Sequence, residues 1–163
     1  MVESGLRILD VMTLKPVIAS PNMCIRDVAA LMEKFSVGSV IVKDGNSVVG
    51  IVTELDFVRR AILEGMDTLK TPISEIMTRD LVIVSPDTDI MDAINLMKDS
   101  EVRHLPVLDG NKMVGFVTVK DILRVQPNLF DNYSDSIRLR EEHRKPLLGP
   151  VLSENFLNDE NEY

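Results

Sequence analysis

Apolar positions in this chain follow two alternating periods. Ile25, Val28, Ala29, Met32 and Phe35 recur at three- and four-residue spacing, the stripe of an amphipathic helix, and Ile90, Ala93, Ile94 and Met97 do so again. Each stripe is preceded by a short extended stretch (16–20 and 81–85) and a Ser-Pro turn, with Asn22 and Asp87/Thr88 as candidate helix caps. Each is followed by two apolar runs, 39–42 with 48–52 and 105–108 with 113–117. Asp-Gly-Asn joins the runs of each pair and predicts a hairpin. A second helix is expected after Thr53 and after Thr118. Residues 58–75 finish the first of these helices and carry a linker punctuated by Gly65 and Pro72.

The two halves are copies. Sliding the chain by 65 positions sets Val11-Met12-Thr13 on Ile76-Met77-Thr78, Ser20-Pro21 on Ser85-Pro86, Leu31-Met32 on Leu96-Met97 and Asp44-Gly45-Asn46 on Asp109-Gly110-Asn111. The register runs without a gap to Phe57 over Ile122, with about 20 identities in about 47 positions. One β-α-β-β-α unit is therefore written twice. A unit of about 50–60 residues buries too little core to stand alone, so the copies are expected to pack their sheets together about a pseudo-two-fold axis. The fold class is α+β. The expected division is 1–65 for the first repeat with an N-terminal helix, 66–126 for the second, and 127–163 for a C-terminal extension.

That extension is different material. It holds 8 acids and 4 bases, and every base precedes Pro146. A short amphipathic helix over Leu129, Tyr133 and Ile137 is expected, then a disordered acidic end.

Composition narrows the function. Of 163 residues, 26 are acidic and 18 basic, a net charge of −8 that disfavours nucleic acid and anionic membranes as partners. No apolar run approaches the roughly 18 residues of a membrane span, and the first residues do not read as a secretory signal. A single cysteine, Cys24, and two histidines leave little for a disulfide or a metal site and suit a cytoplasmic protein. No nucleophile–base spacing or Gly-x-x-x-x-Gly-Lys loop suggests an enzyme, and no catalytic residue or cofactor is expected.

The candidate chemistry sits where each hairpin passes into its second helix. Thr53 and Asp56, and again Thr118 and Asp121, are three residues apart across a strand-to-helix junction. Two compatible readings apply. The pair caps the helix, with threonine at the N-cap and the acid at the third position. It also suits a ligand, the helix start and hydroxyl facing a phosphate and the carboxylate accepting from the two hydroxyls of a ribose. Arg103 and His104 stand in the second copy where the first has Gly38 and Ser39, so basic charge appears on one side only.

Val11-Met12-Thr13 … Gly50-Ile51-Val52-Thr53-Glu54-Leu55-Asp56, and again Ile76-Met77-Thr78 … Arg103-His104-Leu105-Pro106-Val107 … Gly115-Phe116-Val117-Thr118-Val119-Lys120-Asp121, resemble a tandem pair of cystathionine-β-synthase (CBS) domains, a Bateman module. The resemblance covers roughly residues 5–126. It implies a regulatory module that binds an adenosine compound (AMP, ADP, ATP or S-adenosylmethionine), pairs into a homodimer and acts through an effector protein, with no chemistry of its own. It also implies adenine pockets at Ile18 with Val37 and at Ile83 with Val102, polar contacts near Thr13 and Thr78, and phosphates facing Arg103 and His104. Relatives often carry a basic or hydroxyl residue just before the motif acid. Here Leu55 precedes Asp56 while Lys120 precedes Asp121, so the first copy's cleft is expected to be poorer in phosphate contacts. The zinc ribbon that ends some relatives has no cysteines here.

Overall fold

A computed structural model describes residues 4–129 and Ser134. The two repeats form one compact unit ending at Val125. The expectations for the tail beyond residue 129 lie outside the described residues.

In the first repeat, α1 (Ile8–Val11) leads into β1 (Ile18–Ala19), α2 (Ile25–Phe35), β2 (Ser39–Asp44), β3 (Ser47–Thr53) and α3 (Glu54–Asp56). The chain then widens into a π-helical turn, Phe57–Ile62, where Leu63 N–H donates to the Val58 carbonyl five residues back at 3.1 Å. In the second repeat, a 3-10 turn (Ile73–Glu75) precedes α4 (Ile90–Asp99), β4 (His104–Asp109), β5 (Lys112–Thr118) and α5 (Val119–Val125). Both hairpins form as their turn residues predict. Gly45 and Gly110 hold the turns at φ of 55° and 58°, where a side chain would be strained.

Strand alternation separates two layers. Val40, Val42 and Val52 are fully or almost fully buried in a cluster with Ile25, Val28 and Met32 of α2, on the helix side of the first sheet. Ile41 and Ile51 point the other way and pack on Phe116 of the second repeat. Each fully buried Ile or Val contributes about 1.5–3 kcal/mol relative to exposure, so most of the stability lies in these layers. The two sheets therefore face each other through Ile41, Ile51 and Phe116, with the helices outside.

The structure departs from the sequence pattern at three places. The helix caps are Cys24 and Asp89, not Asn22 or Asp87/Thr88. Asp89 wins because its carboxylate accepts from Met91 N–H at 2.8 Å and also from Ser4 N–H at 3.0 Å. Phe35, placed on the helix's apolar stripe, is exposed because it lies in the last turn. The stretch 81–85 keeps only one parallel bridge, Val84 to Val107, where the first repeat forms β1. In the first repeat Ile41 N–H donates to the Val17 carbonyl at 3.1 Å. Its counterpart is Pro106, which has no N–H to give, so the second strand shortens.

Backbone bonds tie the repeats together by the same 65-residue shift. Thr13 exchanges two hydrogen bonds with Phe116, at 2.7 and 3.0 Å, and Thr78 exchanges two with Ile51, at 2.8 and 3.0 Å. Ile8 N–H donates to the Thr88 carbonyl as Ile73 N–H donates to that of Met23, and Ile90 N–H to Leu6 as Ile25 N–H to Thr71. The segment ahead of each repeat is thus docked on the other repeat, and the pseudo-two-fold packing is built into the backbone.

Candidate functional site

The Thr–Asp pairs form the boxes that their spacing predicts. Thr53 N–H and Oγ–H both donate to Asp56 Oδ2 at 2.8 Å. Thr118 N–H and Oγ–H donate to Asp121 Oδ2 at 2.9 and 2.7 Å, and Asp121 N–H donates back to Thr118 Oγ1 at 3.3 Å. In each box the capping bonds use one carboxylate oxygen. Asp56 Oδ1 lies 3.5 Å from Arg60 Nε, and Asp121 Oδ1 accepts no hydrogen bond among the described residues. All four side chains are half-buried at the ends of β3 and β5.

The other candidates are distributed across the repeats. Ile18 and Ile83 are exposed, at 46% and 48%, so neither is a core residue; Val37 and Val102 are half-buried. Thr13 and Thr78 use their backbones, pairing with Phe116 and Ile51, each two residues before the threonine of a box. The segment leading to Ile83 therefore runs beside the strand that ends in Thr53 and Asp56, and the one leading to Ile18 runs beside the strand that ends in Thr118 and Asp121.

His104 belongs to this crossed arrangement. It is paired with Thr118 across the hairpin, and its ring lies 6.0 Å from that of Phe116, on the face turned toward the first repeat. Burial is the main influence on its imidazole and pulls the pKa below the usual 6.5; the Asp56 carboxylate acts in the opposite sense, and the Arg103 guanidinium adds to the lowering. Arg103 is exposed and makes no hydrogen bond or ion pair among the described residues. Across the repeats, the Asp56 carboxylate acts electrostatically on the His104 imidazole.

The family model for the CBS domain matches residues 8–62 and, a second time, residues 73–128. The chain belongs to the CBS-domain family. It is 35% identical over 113 residues to the CBS domain-containing protein YhcV of Bacillus subtilis, covering 69% of this chain and 80% of that one. The structure superposes on a conserved protein from Pyrococcus horikoshii with a TM-score of 0.70 at 29% identity, covering 77% of this chain and 95% of that one. It also superposes on the CBS domain pair of protein MJ0100, solved in complex with 5-methylthioadenosine and S-adenosyl-L-methionine, with a TM-score of 0.68 at 26% identity over 76% and 97% of the two chains. No catalytic family is indicated. No helix among the described residues is long and apolar enough to cross a membrane, and none of their His, Cys, Asp and Glu side chains cluster in a way that would hold a metal ion.

Beside the boxes, this CBS pair has a groove of about 700 Å³ whose lining includes Met32, Val37, Gly38, Glu54, Phe57 and Lys120. Thr53, Asp56 and Ile18 do not line it. Lys120 of the second repeat and Gly38 and Glu54 of the first thus line the same groove. A feature the motif reading passed over is the fit of Gly50 and Gly115. A Cβ on either would come within 3.0 Å of the Met77 or the Met12 side chain, respectively. The 65-residue shift relates both glycines and both methionines and was the signal available for finding them.

Proposed function

We propose that this CBS pair is a regulatory module that binds an adenosine compound, AMP, ADP, ATP or S-adenosylmethionine, and passes its occupancy to an effector protein without catalysis. The observation that carries this reading is the duplicated Thr–Asp box, with a carboxylate held at a strand end and its second oxygen directed away from the capping bonds. Such a carboxylate is suited to accept from both hydroxyls of a ribose. Thr53, Asp56, Arg103 and His104 form one set of ribose and phosphate contacts and Thr118 and Asp121 the other, with Ile18, Val37, Ile83 and Val102 as adenine walls. The adenosine ligands in the MJ0100 complex support the ligand class. Native mass spectrometry of the purified protein against AMP, ADP, ATP, S-adenosylmethionine and GTP tests it. Mass additions from adenosine compounds and none from GTP are expected; no addition from any of them overturns the reading.

A second reading is a dimerisation module with no physiological ligand. Phe35, Leu55, Val58, Ile62 and Leu63, all on the helical side of the first repeat, are between 48% and 73% exposed, which favours pairing of two copies through these helices. Homodimerisation is part of both readings, so it is ligand binding that separates them.

A further inference from the structure

We infer that Arg60 is the positioning residue of the first Thr–Asp box and the link by which a ligand held at Asp56 steadies the segment leading into the second repeat. This rests on the adenosine reading above and names the device that carries occupancy away from one of its two sites.

One guanidinium holds two partners. Arg60 Nη1 donates to the Ile76 carbonyl at 2.9 Å, and Nε lies 3.5 Å from Asp56 Oδ1. A spacing of four residues sets the acid and the base on one face of the helical turn. Asp56 Oδ2 is occupied by the Thr53 N–H and Oγ–H, so Oδ1 is the oxygen that remains for a ribose hydroxyl. A carboxylate oxygen has two lone pairs, so Oδ1 can accept from the hydroxyl while it still faces Arg60. The guanidinium fixes where Oδ1 lies, and the Ile76 carbonyl fixes the guanidinium.

The far end of this bridge is backbone that joins the repeats. Ile76 is fully buried, Met77 lies against Gly50, and Thr78 exchanges two hydrogen bonds with Ile51. A ligand that orders the carboxylate therefore orders Arg60 and, through it, the leading segment. By linkage the docked segment tightens the ligand by the same factor. The second repeat lacks the bridge, because the counterparts of Arg60 and Ile76 are Val125 and Val11, and a valine side chain has no donor to give. Coupling runs from Asp56 and not from Asp121.

Hydrogen exchange at the Thr78 and Thr13 amides of the full chain, read by NMR with saturating AMP, ADP, ATP or S-adenosylmethionine, tests this. In the parent, the compound that binds is expected to slow exchange at Thr78 about tenfold, a usual size for coupling between sites. Arg60→Met keeps an apolar stem and removes both donors, whereas Arg60→Lys keeps the charge with one nitrogen where the bridge uses two. Both variants are expected to bind about tenfold more weakly and, at saturation, to lose the added protection at Thr78 while the response of Thr13 is unchanged. The Arg60 side chain is 44% exposed, so neither replacement should unfold the chain, and if Arg60→Met does, Arg60→Lys makes the same measurement. Ligand-dependent protection of Thr78 that survives in either variant, or a parent that binds and shows none, overturns the inference and leaves the adenosine reading standing. If no adenosine compound binds the parent, both fall.

Discussion

Gly50 lies directly against Met77: a Cβ on the glycine would stand 2.6 Å from the methionine sulfur and 3.0 Å from the Thr78 carbonyl oxygen. This contact is where the second repeat's leading segment meets the first repeat's sheet. Met77 is buried and the Thr78 carbonyl is fixed by its bond from Ile51 N–H, so neither yields easily. Gly50→Ala is expected to destabilise by about 1–3 kcal/mol, as overpacked cores do. At Gly115 the nearest atoms all belong to the Met12 side chain, which is only half-buried and can swing aside. Gly115→Ala should therefore cost less. Urea unfolding of both variants checks the order; equal midpoints would contradict it.

The carboxylates of the boxes also hold the fold. Asp56→Ala and Asp121→Ala each remove an acceptor of two hydrogen bonds from the N-cap threonine, and each is expected to cost about 0.5–2 kcal/mol. Asparagine keeps one acceptor oxygen and should recover part of the loss. Unfolding midpoints unchanged by alanine would remove the capping role.

Stability should respond to pH through His104. Burial sets its native pKa below 6.5, so the unfolded chain takes up a proton first. The stability associated with the neutral ring is fully present above about 6.5 and is lost as pH falls from there toward the lower native value. Asp56 and Arg103 are the charges that act on it, and a bound phosphate would favour the charged ring and tighten binding between about pH 8 and 6. Phosphate titrates near 6 itself, so His104→Gln must be measured beside the parent. A parent whose unfolding midpoint has the same pH slope as His104→Gln would refute the linkage.

Ligand binding should appear as thermal stabilisation. At a hundredfold excess over the dissociation constant, a compound that binds only the native state adds about 2.7 kcal/mol. Adenosine compounds are expected to raise the melting temperature and guanosine compounds to leave it in place. A flat profile across AMP, ADP, ATP and S-adenosylmethionine would count against the proposed ligand class.

The exposed apolar helices predict association. Sedimentation at tens of micromolar should give twice the 18.3 kDa chain mass, and Leu55→Asp/Ile62→Asp should restore the single chain. Both residues are more than half exposed in one copy, so the substitutions should not unfold it. A parent that sediments only as the single chain contradicts the prediction.

What the amino-acid sequence determined by itself is everything governed by local period: the doubled unit, the helices from Ile25 and Ile90, the hairpins turning at Gly45 and Gly110, and the Thr–Asp boxes. These follow from spacing within a few residues, and any packing of the unit has to respect them. Three things were decided by the tertiary structure. Asp89 is the cap because Ser4, 85 residues away, adds donors to the same carboxylate. The second repeat loses its first strand because Pro106 falls at the place where the other repeat donates an N–H to Val17. Most consequentially, His104 comes under the influence of Asp56 because Thr78 pairs with Ile51 across the two repeats. Crossed and uncrossed leading segments present the same hydrophobic pattern along the chain. Only the fit of one sheet against the other, at Ile41, Ile51 and Phe116, distinguishes them, and that fit joins residues far apart in sequence.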